Sequence, residues 1–346
     1  MKRKQTLSGK CENLWIGKFR SVFATDKESA KDAKYPLEGY SMKKWPILFL
    51  LLILVISGCN VPGMGSKEPK VSLYLTKTGE KKELSLEEYV AGVVAGEMLP
   101  NWPKEAYAAQ AILARTFTME FIQRGGTQAK YGTDLSDDIT ETQAYNASAI
   151  SPVIRSAVQG TKGLVATYNK NYIKGWFHAF SGGETTKAKV GLNYKETEPP
   201  YIKVVSDPGA DYAPPEDRNW QATYSADELS NLLQKTGLIN FAVENVEITN
   251  KNEQGRVTEF TVSGAGNKVP IAGADFRIAV DSTKLKSIWI EDLTKTGTDF
   301  VFKGKGYGHG VGMSQWGAYA LAEKGSKAEE IVKYFFQGIE ITKKYK

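Results

Sequence analysis

Apolar residues recur at helical spacing after Ser85: Leu86, Tyr89, Val90, Val93 and Val94 form one stripe, and a further step of three lands on Glu97. Ser85 and Glu88 have the spacing of a capping box, which sets the start of this helix, and Pro100 ends it soon after Glu97. A second helix opens at Pro103, a favoured first helical position. It carries Ala106, Gln110, Leu113, Phe117 and Phe121 along one face until Gly125-Gly126 stops it. Joined by Met98–Trp102, the two make a helical hairpin with Glu97 at its bend.

The remaining pattern is shorter and mixed. A strand around Val71–Leu75 runs into a Thr78-Gly79 turn, and Gly163–Tyr168 with Tyr172–Phe180 reads as a hairpin in which His178 shares a face with Trp176 and Phe180. Lys195 to Trp220, rich in Pro, Glu and Asp, reads as a long surface loop, and Ser225 with Glu228 caps a short helix. Val243–Thr249 and Arg256–Val262 form another hairpin, and Ser287–Ile290 and Asp299–Lys303 are further strands. Gly304 to Gly312 reads as a glycine-alternating strand, and Ser326 with Glu329 caps a last helix through Phe336. There is no repeat and no regular βαβ rhythm. The expected fold class is therefore α+β, with mixed short strands, a helical hairpin carrying Glu97 and a C-terminal helix.

Composition narrows the partners. A chain of 346 residues with 41% hydrophobic content can bury a core as one large or two small domains. Its net charge of +6 is unevenly placed: residues 1–58 hold 11 Lys/Arg and 5 Asp/Glu, and the rest holds 34 of each. A balanced remainder argues against a nucleic-acid partner, which needs a basic face. Lys43-Lys44, an apolar run from Trp45 to Ile56 and Ser57-Gly58-Cys59 have the layout of a secretory signal, short for a membrane span. The Ile-Ser-Gly-Cys ending resembles a bacterial lipobox, in which Cys59 is lipidated; an uncleaved membrane anchor is the competing reading. Either places the following chain outside the cytoplasm.

The expected organisation follows. Residues 1–41 are a mis-assigned start, with translation beginning at Met42, or a cytoplasmic tail. Residues 42–58 are the signal or anchor, 59–70 a tether, and 71–346 one folded domain. With Cys59 lipidated and Cys11 in the leader, no disulfide and no thiolate metal site is expected in the folded part.

Glu97 is the candidate for chemistry. A carboxyl at the end of an apolar stripe meets desolvation and the negative end of the helix dipole, both of which favour the protonated form. Such a group can give a proton to a leaving oxygen; the bland alternative is a glutamate at a fraying helix end that points into water. Glycosidic hydrolysis calls for two carboxylates. One suffices where the substrate supplies its own nucleophile, as in lytic cleavage of peptidoglycan by the 6-hydroxyl of muramic acid, because the same group then acts first as acid and later as base.

Other motifs have weaker chemistry. The alternating glycines from Gly304 to Gly312 strip one face of side chains so that another backbone or a sugar ring can approach, or mark a tightly packed edge. They fit neither a dinucleotide fingerprint nor a phosphate loop. Gly312-Met-Ser314-Gln-Trp316 lacks the second glycine of a nucleophile elbow, and both histidines precede the serine. Two histidines, His178 and His309, without a thiol make a poor zinc site, though carboxylates could complete one; no cofactor is expected. Ser181-Gly182-Gly183 either offers N–H groups to a ligand or is a simple turn.

Five stretches occur in an order that resembles the stage II sporulation protein D/amidase enhancer family. They are Tyr89-Val-Ala-Gly-Val-Val-Ala-Gly-Glu97-Met98, Glu105-Ala-Tyr-Ala-Ala-Gln110-Ala-Ile-Leu-Ala-Arg115-Thr-Phe117, Thr161-Lys-Gly-Leu-Val165, Phe177-His178 with Ser181-Gly-Gly183, and Gly306-Tyr-Gly-His309-Gly-Val-Gly-Met-Ser314-Gln315-Trp-Gly-Ala318. The resemblance spans about Glu83 to the C-terminus and implies a lytic transglycosylase acting on peptidoglycan glycan strands, in sporulating members on strands stripped of stem peptides.

The family's catalytic Glu falls on Glu97, and its Arg on Arg115, a fork for substrate carboxylate or hydroxyls. Gln110, His178, Ser181, His309, Ser314 and Gln315 match motif positions and are expected to line the groove. Some relatives hold a metal near the motif histidine with cysteine ligands; here Ala179 follows His178 and no metal is expected. A lipobox in place of a single membrane helix leaves sporulation and general wall remodelling equally compatible. The second reading is a module that grips glycan and stimulates a cell-wall amidase.

Overall fold

The computed structural model describes residues 67–346. The leader, the signal segment, Cys59 and the tether through Ser66 lie outside the described residues. The fold is α+β. Strand β1 (Lys70–Leu75) turns at Gly79 into the antiparallel β2 (Glu80–Ser85), and the Ser85 hydroxyl accepts the Glu88 N–H to start α1 (Leu86–Glu97). Only half of the expected capping box forms, because the Glu88 carboxylate pairs with Arg155. Helix α2 (Lys104–Gln123) returns alongside α1. One phenol sets the bend between them: Tyr107 Oη donates to Leu99 O at 2.7 Å and accepts the Trp102 N–H at 3.1 Å.

Helix α3 (Gln128–Tyr131) leads to β3 (Leu135–Ser136), which pairs in parallel with β1. Helix α4 (Pro152–Gly160) then packs on α2, and β4 (Leu164–Tyr168) pairs with β5 (Asn171–Tyr172). The hairpin expected to run through Phe180 ends here. A tight turn, in which the Trp176 N–H donates to Lys174 O at 2.8 Å, redirects the chain and sends β6 (Phe177–His178) into a different sheet.

After α5 (Ala188–Gly191), a long irregular stretch and α6 (Pro215–Arg218), the chain builds a second hydrophobic core. It comprises β7 (Trp220–Ser225), α7 (Ala226–Lys235), β8 (Asn245–Lys251), β9 (Val257–Gly264), β10 (Asn267–Ala272), α8 (Gly273–Ala279), β11 (Ile290–Thr296) and β12 (Asp299–Gly304). Two antiparallel sheets, ordered β10-β9-β8 and β11-β12-β7, close on Tyr224, Phe260, Phe276 and Phe302. The strand expected at Ser287–Ile290 begins only at Ile290, because the Ser287 hydroxyl turns the chain by donating to Lys305 O and accepting the Trp289 N–H. Residues 71–346, read as one domain, thus enclose two cores.

The last segment rejoins the first core through β13 (Met313–Ser314), α9 (Gln315–Glu323), α10 (Ala328–Phe335) and β14 (Glu340–Lys343), which pairs with β4. Gly304 to Gly312 is not a regular strand. Gly306, Gly308, Gly310 and Gly312 all have positive φ, from 72° to 107°, so every second residue takes a backbone that side chains disfavour. Helix α10 starts one residue later than expected: Glu330 reaches back to the Lys327 N–H at 2.8 Å.

Candidate active site

Glu97 ends α1, where the sequence stripe places it. Its Oε1 accepts the main-chain N–H of Ala144 at 2.7 Å. That segment reaches the helix because two glycines clear its path. A Cβ on Gly96 would lie 2.8 Å from Ala144 C and O, and one on Gly92 would enter the Tyr145 ring. Tyr145 in turn stacks on Tyr89, with ring centroids 5.6 Å apart. Burial pushes the Glu97 carboxyl up to about 7, and the Ala144 N–H, which favours the carboxylate, opposes it. The residue keeps a partly exposed edge, so the group is shielded without being sealed.

Gln110 and Gln315 meet beside it. Gln315 Nε2 donates to the main-chain oxygen of Glu97 at 3.2 Å and lies 3.5 Å from Gln110 Oε1, a long contact. Gln110 is fully buried, and its own Nε2 has no protein partner among the described residues. The Ser314 hydroxyl accepts the Gly317 N–H and caps α9, so it serves the helix that presents Gln315. Ser314 also lies opposite His178 in the parallel β6–β13 pair, which ties the histidine region to the glutamate.

The two imidazoles are 5.5 Å apart and share one residue's main chain. His178 Nδ1 is 3.2 Å from Val311 O; a carbonyl only accepts, so this nitrogen carries the proton. His309 Nδ1 accepts the Val311 N–H at 3.0 Å, so it is bare. Burial leads in lowering both pKa values, with nearby arginines adding to it, and that of His309 falls to about 3. Both rings are neutral at physiological pH. The glycine segment makes this approach possible: a Cβ on Gly308 would stand 2.7 Å from His178 Cβ.

Ser181 points inward, its hydroxyl donating to Asp207 Oδ2 at 2.6 Å. Arg256, from the second core, donates through Nη2 to Ser181 O and Glu184 O at 2.6 and 2.7 Å and fastens that turn. Arg115 departs from the expected role as a fork for substrate. It is wholly buried, and its guanidinium forks onto Glu87 at 3.0 and 2.5 Å while Nη1 donates to Leu164 O. Glu87 is completed by the Gly163 N–H and the Tyr345 hydroxyl. This is an enclosed structural ion pair with its fork facing away from solvent.

Geometry therefore gathers Glu97, Gln110 and Gln315, links them to His178, His309 and Ser314, and turns Ser181 and Arg115 to structural partners. A surface recess by Glu105, Thr161, Leu164, Lys327 and Lys333 contains none of them. Among the described residues no three His, Cys, Asp or Glu side chains converge. Sequence reasoning missed Ala144, Asp207 and Arg256. The available signal was steric: Gly92 and Gly96, one helical turn apart, mark where another segment must lie against α1.

The class of molecule is an α+β protein with a shielded carboxyl at a helical bend, backed by a neutral histidine pair. Residues 74–168 match the family described as stage II sporulation protein (SpoIID), and residues 209–312, which span the second core, match a domain of unknown function (DUF8618). Over 305 residues the chain is 31% identical to stage II sporulation protein D of Bacillus amyloliquefaciens, covering 81% of each chain. It is 30% identical to that of Bacillus subtilis over 79% of this chain and 78% of the relative. Identity to the amidase enhancer of Bacillus subtilis is 25%, over 72% of this chain and 40% of that one. The chain belongs to the stage II sporulation protein D family.

Proposed function

We propose that this chain is a lytic transglycosylase that cuts peptidoglycan glycan strands, in sporulation or in wall remodelling. The observation that carries this reading is the Glu97 carboxyl, held near pKa 7 at the hairpin bend with one oxygen engaged by Ala144. With Oε1 accepting an N–H, the proton of the neutral acid resides on Oε2. Glu97 gives it to the glycosidic oxygen as the bond to the muramic anomeric carbon breaks. The 6-hydroxyl of the same sugar then bonds to that carbon, and its proton passes to the Glu97 carboxylate. The acid is regenerated, a 1,6-anhydro ring closes and no water is consumed. A pKa near the operating pH suits a group that must give and then take a proton.

Gln315 and Gln110 hold the helix end and offer amides beside it, and the neutral histidine pair stiffens the strand that presents Gln315. Lipidation at Cys59, or an uncleaved anchor, would keep the enzyme at the outer face of the membrane. A second reading, a glycan-gripping module that stimulates a cell-wall amidase, is favoured by the relative named amidase enhancer.

Digestion in heavy-oxygen water separates the readings, with stem-peptide-free and peptide-bearing strands as substrates. Anhydromuramic ends without heavy oxygen support the proposal. Heavy oxygen at new reducing ends means hydrolysis, and intact strands with accelerated amidase turnover favour the second reading.

A further inference from the structure

Four aromatic rings gather beside the hairpin bend. The Trp102 ring lies 4.6 Å from that of Trp316 and 5.1 Å from that of Tyr319; Trp316 and Tyr319 are 5.5 Å apart, and Tyr319 is 5.1 Å from Tyr212. Two of them are tied to the backbone that carries Glu97. Trp102 closes the bend that follows Glu97 and is fixed through Tyr107, while Trp316 adjoins Gln315, whose amide holds the Glu97 carbonyl. The loop before Tyr212 is pressed onto α9, since a Cβ on Gly209 would stand 2.5 Å from Trp316 C.

Exposure rises along the row. Trp102 is buried, Trp316 and Tyr319 are half-buried, and Tyr212 is 38% exposed. Among the described residues only three large apolar side chains are exposed; Tyr212 and Leu99, on the bend itself, are two of them. Open apolar surface concentrated beside one acid marks a binding feature. Lysine or arginine sits over rings elsewhere, as Lys305 does over Trp289, but over none of these four among the described residues. The row therefore offers uncharged, electron-rich faces with polar edges.

We infer that Trp316, Tyr319 and Tyr212 form a glycan subsite, whose faces take the C–H faces of successive pyranose rings as the strand passes from Glu97. The inference rests on the glycan-cleaving reading and adds the path of the substrate. A neutral sugar face complements uncharged rings, and continuity with Glu97 through Trp102 and Gln315 makes the row the next surface a polymer meets. A protein partner is the alternative occupant.

The test uses the full chain with Glu97→Gln, so that bound strands stay intact, and a stem-peptide-free tetrasaccharide of alternating N-acetylglucosamine and N-acetylmuramic acid, titrated by calorimetry. Adding Tyr212→Ala or Tyr319→Ala should weaken binding roughly three- to tenfold, while Val153→Ala, an exposed apolar residue on α4, leaves it unchanged. Equal affinity in all variants overturns the subsite. Reduced amidase stimulation at unchanged glycan affinity also overturns it and assigns the row to a protein. The enzymatic reading fails separately, if the Glu97-bearing chain binds the sugar with this aromatic dependence yet leaves strands uncut.

Discussion

Ala144 and Glu97, 47 residues apart in the chain, are joined by a 2.7 Å hydrogen bond from the main-chain N–H to Oε1. A backbone donor survives every side-chain change at its own position except one to proline, so this bond fixes the glutamate as firmly as the fold fixes the loop. Its dependence on Gly96 makes it testable.

Gly96→Ala places a methyl group where Ala144 C and O stand 2.8 Å from it. The loop must move, and the N–H that favours the carboxylate goes with it. The Glu97 pKa should rise above about 7, and the alkaline limb of the turnover profile, set by loss of the proton that Glu97 must give, should move to higher pH. Carbon NMR titration of the Glu97 carboxyl checks this; an unchanged midpoint contradicts it.

Glu97 should also shape stability against pH. Its folded pKa lies above its unfolded one, so below about 4.5 both states are protonated and there is no penalty. As pH rises through about 7 the unfolded chain ionises first, and stability falls by about 3 kcal/mol at most. Glu97→Gln should remove this decline and be the more stable protein at pH 8. Denaturant midpoints of the two chains across the range decide it.

The histidines act in the opposite direction. Their folded pKa values lie below the ordinary 6.5, so their contribution is complete above that pH and is lost as pH falls towards the folded values. Each costs about 1.4 kcal/mol per pH unit over that window. Imidazole proton shifts should stay at neutral positions from pH 8 to 5; a midpoint near 6.5 for either ring would refute the buried tautomer pair.

Arg115→Met leaves Glu87 charged and enclosed, which should cost about 3–5 kcal/mol. Replacing both partners by methionine should recover much of the loss. Thermal unfolding checks the ordering, and glycan affinity of the folded Arg115→Met protein should match the parent. A folded variant that lost affinity would return Arg115 to the substrate.

Local pattern made the helical hairpin legible. Leu86 to Val94 keep one period, Pro100 and Pro103 punctuate it, and Glu97 falls where the stripe points. The Ser225 cap was equally local. The failures lie where tertiary contacts decide. Arg115 looked available because nothing in the order of residues shows Glu87 and Tyr345 closing on it. Period two at Gly304–Gly312 suggested a strand, whereas the glycines adopt positive φ and admit His178 and Arg256. The second core escaped notice because its short strands carry no signal of belonging to a separate cluster.

The most direct measurement is mass spectrometry of glycan ends after incubation with the full chain and with Glu97→Gln. The account predicts anhydromuramic ends from the first and a loss of at least about a hundredfold in the second, the scale of general acid–base catalysis. Equal yields of anhydromuramic ends from both proteins would contradict it.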